Sequence, residues 1–250
     1  MSGGRPRRHN NGVNATTVDE IAPDIYRLST WVPGITEHGF TFNQFLLTGD
    51  EPMLFHTGMR HLFGSVSDAV NRVVPVENLR WISFGHLEAD ECGAMNLFLD
   101  AAPNAEVIHG PLAIMLSLAD MCDRPPVAAG DVHDIGGHRL RFIATPHVPH
   151  NWEAGLWFDE TTSTLLAGDL FTHTGRCPAL TESDCVAAAL DAEGLFHATG
   201  LTTNLAPTLA QLADLKPTTL AIMHGASFHG DGAAQLRALA DGYTAMSGAS

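Results

Sequence analysis

Short apolar runs and longer amphipathic segments alternate along this chain, and their spacing predicts both strands and helices. Strands are predicted over residues 25–30, 41–47, 53–55, 79–84, 105–108, 140–144, 155–158, 164–167 and 220–223. Helices are predicted over residues 62–73, 94–101, 112–121, 184–198, 206–215 and 233–246. The order is strand-rich, helical, strand-rich and helical again. It favours an α+β fold in which two packed sheets have helices outside.

Length and composition indicate one sizeable domain. The chain has 250 residues, of which 45% are hydrophobic, and this is enough for a core of its own. Residues 1–18 are predicted to be a disordered basic tail, because no apolar stretch of the kind found in secretory signals follows the early arginines. Residues 19–250 are predicted to form the domain. No apolar run approaches the roughly 18 to 20 residues that cross a bilayer, so no membrane partner is expected.

Charge and cysteine content narrow the possible partners and the compartment. The formal net charge of -15 argues against nucleic-acid binding, which needs a basic face. The four cysteines form no CxxC pair, and we expect free thiols in a reducing cytoplasm. Cys92 lies beside the most informative segment of the chain, where it could be a ligand or a buried packing residue.

That segment, residues 85–93, follows a predicted buried strand and carries His86, Glu88 and Asp90 at every second position. An extended turn after a strand can aim such side chains at one point, and metal ions need convergent lone-pair donors of this kind. Zinc hydrolases favour imidazole-rich sites, whereas added carboxylates shift the preference toward iron or manganese. The segment therefore predicts part of a metal site with mixed nitrogen and oxygen donors.

Three further predicted strands end close to metal-capable side chains, which are His150, Asp169 and His224. Asp169 follows His150 by 19 residues, and a second histidine, His147, lies three residues before His150. A single histidine at a strand end is usually structural, but four successive strand ends with such residues predict a metal site. The alternative is a degenerate site that keeps the residues without binding metal.

With these residues the chain resembles the diiron domain of flavodiiron proteins and the stand-alone oxygen-binding diiron proteins, which have the metallo-β-lactamase fold. The shared pattern is His-x-Glu-x-Asp, a His about sixty residues later, an Asp nineteen residues after it and a distal His. Residues 20–245 fit this pattern, and its nineteen-residue spacing implies His150 rather than His147 as the ligand. Hydrolases of the superfamily usually have His at the position of Glu88. The resemblance implies an αββα sandwich of two mixed β-sheets flanked by helices.

The same resemblance implies a cofactor of two iron ions, with zinc or manganese as alternatives. The implied ligands of one ion are His86, Glu88 and His150. The implied ligands of the other ion are Asp90 and His224, with Asp169 bridging the two. A carboxylate can do this because its two oxygens reach both ions of a two-metal site.

Two departures from the family pattern leave roles open. The family often has a His directly after the Asp, where this chain has Glu91. The second metal then has one nitrogen fewer or takes Glu91 as an oxygen ligand, unless that carboxylate points away. The family also often has a Tyr near the pocket, in a stretch that Phe196 and His197 fill here. His197 is the candidate catalytic residue, as a source of a proton or hydrogen bond, and a plain surface position is its alternative.

Three functions are compatible with these observations. The first is a non-haem diiron protein that binds O₂, with reduction of O₂ or NO, or a sensor or carrier role, as its variants. Flavodiiron enzymes carry a flavodoxin-like domain of roughly 140 to 150 residues, which this sequence does not accommodate. We therefore expect no flavin on this chain and an external flavodoxin- or rubredoxin-type donor, and the relatives also imply a homodimer. The others are a dinuclear metal-dependent hydrolase and a binding module with a vestigial site. Glu88 favours the first.

Overall fold

Two seven-stranded sheets lie at the centre of the protein in a computed structural model, which describes residues 15–248. In the first sheet the strands are adjacent in chain order, and they are β1 (Thr17–Ala22), β2 (Ile25–Val32), β3 (Phe40–Leu47), β4 (Met53–Phe55), β5 (Trp81–Ser83), β6 (Glu106–His109) and β7 (Val127–Ala128). Strands β1 to β4 pair antiparallel and β4 to β7 pair parallel, so this sheet is mixed.

The second sheet is mixed as well. Its strands are β8 (Val132–Asp134), β9 (Arg139–Ala144), β10 (Gly155–Asp159), β11 (Thr164–Gly168), β12 (Leu180–Thr181), β13 (Thr219–Ile222) and β14 (Ser227–His229). They lie in the order β12-β14-β13-β11-β10-β9-β8. The central pair β11 and β13 is parallel, and both strands therefore end at the same edge of the sheet.

The described helices are α1 (Phe63–Val70), α2 (Ala89–Cys92), α3 (Met95–Ala101), α4 (Pro111–Ala113), α5 (Ala119–Met121), α6 (Val186–Phe196), α7 (Leu205–Asp214) and α8 (Gly232–Gly248). A π-helical turn, Ile114–Leu118, joins α4 to α5. Short 3-10 turns occur at Arg60–Leu62 and Val76–Asn78.

Three buried apolar layers hold these elements together. One layer joins α1 and α3 to the first sheet, and another joins α6, α7 and α8 to the second sheet. The third lies between the sheets and contains Phe45, Phe55 and Trp157, none of which is exposed to solvent. Each such side chain contributes on the order of 1.5–3 kcal/mol by leaving water. This confirms the αββα sandwich that the resemblance implied.

Polar contacts also tie the two sheets together next to the end of β13. The Asn43 side-chain amide donates to the carbonyl oxygens of Ile222 (2.8 Å) and Gly225 (2.9 Å). The buried Arg27 guanidinium donates to the same Gly225 oxygen at 2.8 Å. The chain segment that follows β13, which carries His224, is therefore fixed by donors from the first sheet.

The predicted elements differ from the structure at a few places. Strand β1 was not predicted, and it includes residues 17 and 18, which the sequence placed in the tail. These residues instead pair with Ser29 and Leu28 of β2. The rest of the predicted tail, up to residue 14, lies outside the described residues. The segment after β5 is not extended throughout, since Glu88 is extended but α2 begins at the next residue.

None of the helices in the described part of the chain combines the length and the apolar character that crossing a bilayer requires. The four cysteines are all free thiols in the structure, as predicted.

Candidate metal centre

Six potential donor side chains meet just beyond the ends of four strands. His86, Glu88 and Asp90 follow β5, His150 follows β9, Asp169 directly follows β11 and His224 follows β13. The structure thus brings together all six residues that the sequence selected. We call His86, Glu88 and His150 the first sub-site, and Asp90 and His224 the second sub-site.

The first sub-site is a close cluster around the Glu88 carboxylate. Glu88 Oε2 lies 3.0 Å from His86 Nε2 and 3.1 Å from His150 Nε2. With Asp169 added, one donor atom from each of the four residues lies within 4.8 Å of all the others. Such a cluster can surround one cation.

Asp169 lies between the two sub-sites and turns one oxygen toward each. Its Oδ2 lies 3.8 Å from His86 Nε2 and 3.9 Å from His150 Nε2. Its Oδ1 lies 3.3 Å from His224 Nε2, which is also 3.3 Å from Asp90 Oδ2. Asp169 Oδ1 is buried and has no hydrogen-bond partner of proper geometry among the described residues. An unsatisfied buried oxygen is unfavourable, so this atom fits a cation shared between the sub-sites.

Glu91 faces away from both sub-sites. It is fully buried, and its Oε2 accepts hydrogen bonds from the backbone amides of Gly85 (2.7 Å) and His86 (2.6 Å). Its Oε1 lies 3.1 Å from His86 Nδ1 and 3.5 Å from the Nε2 of the buried His56. Of the alternatives left open by the sequence, the structure shows the carboxylate that points away, and it supports the imidazole of His86 from behind.

The electrostatics of the centre couple imidazoles to carboxylates. Burial acts to lower the pKa of His86, but Glu91 and Glu88 outweigh it and raise that pKa to about 11. For His224, burial is likewise outweighed by Asp169 and Asp90, and its pKa rises to about 10. Hydrogen bonds with His150 and His86 lower the pKa of Glu88 to about 2. Without a metal, protons on His86 and His224 therefore offset part of the carboxylate charge, and a bound cation would take their place.

A cavity of about 400 Å³ opens beside the donors. Much of its wall is apolar and comes from Phe40, Pro149, Ala189, Ala192, Phe196 and Ala198. Polar side chains outside the donor set also line it, namely Thr172, Glu193, Thr199 and Tyr243. This volume lies in the range of ordinary small-molecule sites. The cavity can therefore hold a small ligand next to the donors.

His197 ends α6 with a left-handed backbone (φ 51°) and an exposed side chain. The residues that line the cavity include its neighbours Phe196 and Ala198 but not His197. Tyr243, on α8, does line it and is 4% exposed. Tyr243 is not among the candidate residues of the sequence, although its helical spacing from the buried Leu236 and Leu239 indicates an inward position.

Two other residues near the centre take no part in the donor cluster. His147 is exposed and has a left-handed backbone, with φ 65°. Cys92 is buried, and its thiol donates to the backbone oxygen of Glu88 at 3.2 Å. Burial raises the pKa of Cys92 to about 12. Its sulfur therefore stays protonated at neutral pH, which suits a packing residue.

The family of this chain is shown by a match over most of its length. Residues 40–225 match the family described as ODP family beta lactamase, and the chain belongs to that family. The match includes every donor residue of both sub-sites.

The chain is also similar to individual flavoproteins. A putative diflavin flavoprotein A 2 from Synechocystis is 30% identical over 139 residues, which is 54% of this chain and 24% of the relative. The alignment thus covers about a quarter of that relative's length. Among solved structures, fragment 1–254 of a putative diflavin flavoprotein A 5 from Nostoc has a TM-score of 0.81 at 19% identity, covering 93% of this chain and 97% of the fragment.

The fold also matches the rubredoxin oxygen:oxidoreductase from Desulfovibrio gigas. The TM-score is 0.74 at 16% identity, and the match covers 92% of this chain and 61% of the other. At such identities the likeness establishes a shared fold, the metallo-β-lactamase-like core that flavodiiron proteins also have.

Proposed function

We propose that this chain is a non-haem diiron protein that binds O₂ and reduces O₂ or NO when electrons are supplied. The observation that carries the proposal is the position of Asp169, whose two oxygens face two separate groups of donors. In this proposal His86, Glu88 and His150 hold one iron, Asp90 and His224 hold the other, and Asp169 bridges them.

The donor set supports iron rather than zinc. Three imidazoles and three carboxylates form it, and Glu88 occupies the centre of the first sub-site, 3.0 Å and 3.1 Å from two imidazole nitrogens. Hard oxygen donors shift the preference from zinc toward iron or manganese. Zinc and manganese are the alternatives to be tested. When bound, two Fe(II) ions would supply one electron each and open coordination positions for the gas.

Aromatic side chains beside the donors give part of the cavity an apolar wall, which suits an uncharged diatomic ligand. Phe40 stacks on the His224 ring with 4.4 Å between ring centroids, and Phe196 packs edge-on against Phe40 at 5.5 Å. These rings keep one side of the second sub-site free of polar groups. Exclusion of water from this apolar side would strengthen electrostatic interactions at the donors.

The electron supply is part of the same proposal. The relatives are called diflavin flavoproteins and rubredoxin oxygen:oxidoreductase, and names of this kind support an external flavodoxin- or rubredoxin-type donor. We also propose a homodimer in the cytoplasm. His197 could act as a proton source only if its side chain turned toward the cavity.

The decisive experiment begins with protein expressed in iron-supplied medium. Elemental analysis should give about two irons per chain, and the chemically reduced protein should change its absorption spectrum on one exposure to O₂. Without a donor the protein should not oxidise NADH. With a reduced flavodoxin or rubredoxin it should consume O₂ steadily.

Asp120→Ala is a control for variants that remove a donor carboxylate. It removes an exposed carboxylate on α5, outside the cavity lining. It should behave like the parent protein. Zinc alone under iron-supplied conditions, or a reduced form inert to both O₂ and NO, would contradict the proposal and favour the hydrolase.

A further inference from the structure

Three polar side chains of the cavity wall form a continuous chain of hydrogen bonds. Glu193 lies in the last turns of α6, Thr199 follows that helix, and Tyr243 lies on α8. All three line the cavity, yet none belongs to the donor set. Glu193 is 7% exposed and Tyr243 is 4% exposed.

The Thr199 hydroxyl is the centre of this chain. Its Oγ1 lies 2.6 Å from Glu193 Oε2 and 3.4 Å from the Tyr243 hydroxyl oxygen. A hydroxyl has one proton to donate and accepts through its lone pairs. When Glu193 is ionised, Thr199 donates to the carboxylate and Tyr243 donates to Thr199. When Glu193 carries a proton, each bond can reverse, so that Glu193 donates to Thr199 and Thr199 donates to Tyr243.

The position of Glu193 is unusual for its surroundings. The other buried residues of α6 are Val186, Ala189 and Ala192, so Glu193 is the single ionisable group on that face of the helix. Burying a carboxyl is unfavourable unless hydrogen bonds satisfy it. A structural role is available, because the Thr199 backbone amide also donates to Glu193 at 3.0 Å and 3.3 Å. That role needs only an acceptor, which an amide side chain would supply equally well.

We propose that Glu193, Thr199 and Tyr243 form a proton relay that supplies the cavity during reduction of the bound gas. This inference rests on the proposed function. Reduction of O₂ to two waters takes four electrons and four protons, and the electrons come from the external flavodoxin- or rubredoxin-type donor.

Each passage of the relay moves one proton. The O–H bond of Glu193 breaks and its proton goes to Thr199 Oγ1, whose own proton goes to the Tyr243 oxygen. The phenolic proton then goes to the reduced oxygen substrate in the cavity. Glu193 is left as a carboxylate, and a proton from water restores it.

Tyr243 suits the last position in this sequence. Burial raises the pKa of Tyr243 to about 12, and the nearby carboxylates Glu193 and Asp169 act in the same direction. The phenol therefore keeps a proton at neutral pH and passes one on only as it receives another. It conducts protons from the Thr199 hydroxyl toward the cavity.

The test compares Glu193→Gln with the parent protein, both loaded with iron. The amide still accepts from the Thr199 backbone, so iron content and unfolding midpoint should stay close to those of the parent. A pH-indicator dye should show proton uptake after the reduced protein meets O₂. We expect this uptake, and donor-driven O₂ consumption, to slow by about tenfold or more, while the initial spectral change on binding O₂ keeps its rate.

Further variants separate a relay from a structural contact. Tyr243→Phe and Thr199→Val should reproduce the slowing, and Thr199→Ser should restore the parental rate because it keeps the hydroxyl. In the metal-free protein, the midpoint shifts of Thr199→Val and Tyr243→Phe should fail to add in the double variant, as expected for residues in contact.

The outcomes distinguish the relay from the proposed function. A parent protein inert to O₂ and NO contradicts the proposed function and the relay with it. A parent that binds O₂ without proton uptake, or a Glu193→Gln variant with parental uptake and turnover, overturns the relay alone.

Discussion

The two sub-sites contain similar donors but rest on different supports. In the first, His86 Nδ1 faces the buried carboxylate of Glu91 at 3.1 Å. In the second, His224 Nδ1 donates to the neutral backbone oxygen of Thr41 at 2.8 Å. A carboxylate behind a metal-binding imidazole raises its basicity, whereas a carbonyl mainly fixes its tautomer and orientation. The first sub-site also has three donors of its own, and the second has two.

This difference explains how the chain can depart from the family pattern at Glu91. The resemblance to flavodiiron proteins would place a histidine ligand for the second metal there. Here the side chain supports the first sub-site instead, through His86 and the amides of Gly85 and His86. We therefore expect the first sub-site to bind its metal more tightly, and the second to be more open to ligands.

The largest effect should come from Asp169→Ala, because this residue serves both sub-sites. Loss of its carboxylate should release at least one of the two metals and abolish the spectral response to O₂. Elemental analysis measures the stoichiometry, and Cys92→Ala, which removes a buried thiol outside the donor cluster, should retain both ions. If Cys92→Ala empties the centre while Asp169→Ala keeps it filled, the donor assignment is wrong.

An intermediate effect is expected for His150→Ala, which removes one donor of the first sub-site. Its metal content should fall by about one ion per chain. His147→Ala is the matched control, since it deletes an exposed imidazole three residues earlier and should leave the content unchanged. Equal retention in the two variants, or greater loss from His147→Ala, would overturn the choice of His150.

The smallest effect should come from Glu91→Gln, which preserves shape but removes the charge behind His86. Loss of such a supporting group typically lowers metal affinity by about 10- to 100-fold. In a chelator titration the parent should lose the metal of the second sub-site first. In the variant, the chelator concentrations that empty the two sub-sites should lie closer together. Glu153→Gln is the control, since Glu153 accepts from Leu87 in the same loop without contacting His86. A parent that loses both ions together would contradict the comparison.

The sequence was sufficient to predict the layers, and the six candidate donors that it selected lie together in the structure. Strand-end positions identify His150 and Asp169 without knowledge of any contact, because parallel strands such as β11 and β13 end at one edge. The amphipathic patterns of α1 and α7 and the apolar runs of the central strands are visible in the sequence. The two-residue strand β12 at a sheet edge and the three-residue strand β14 beside it are too short to show a periodic pattern.

The direction of Glu91 could not be predicted, because it depends on whether the segment after Glu88 is extended or helical. In an extended segment the Glu91 side chain would point to the side opposite Asp90. The sequence does not show which group it would contact there. In the structure α2 begins at Ala89, and roughly 100° of rotation per helical residue turns Glu91 toward the loop amides. Tyr243 was missed for a different reason, since its partner Thr199 lies 44 positions away in the chain.

The donors come in equal numbers from the two sheets, with His86, Glu88 and Asp90 from the first and His150, Asp169 and His224 from the second. Bound metals would therefore act as cross-links across the sandwich, and the complete donor set would exist only once both sheets have packed. Loading and folding then form one linked equilibrium: free metal at a hundred times its dissociation constant would add about 2.7 kcal/mol to the free energy of unfolding. Metal supply would in this way affect the stability of the folded chain as well as its chemistry.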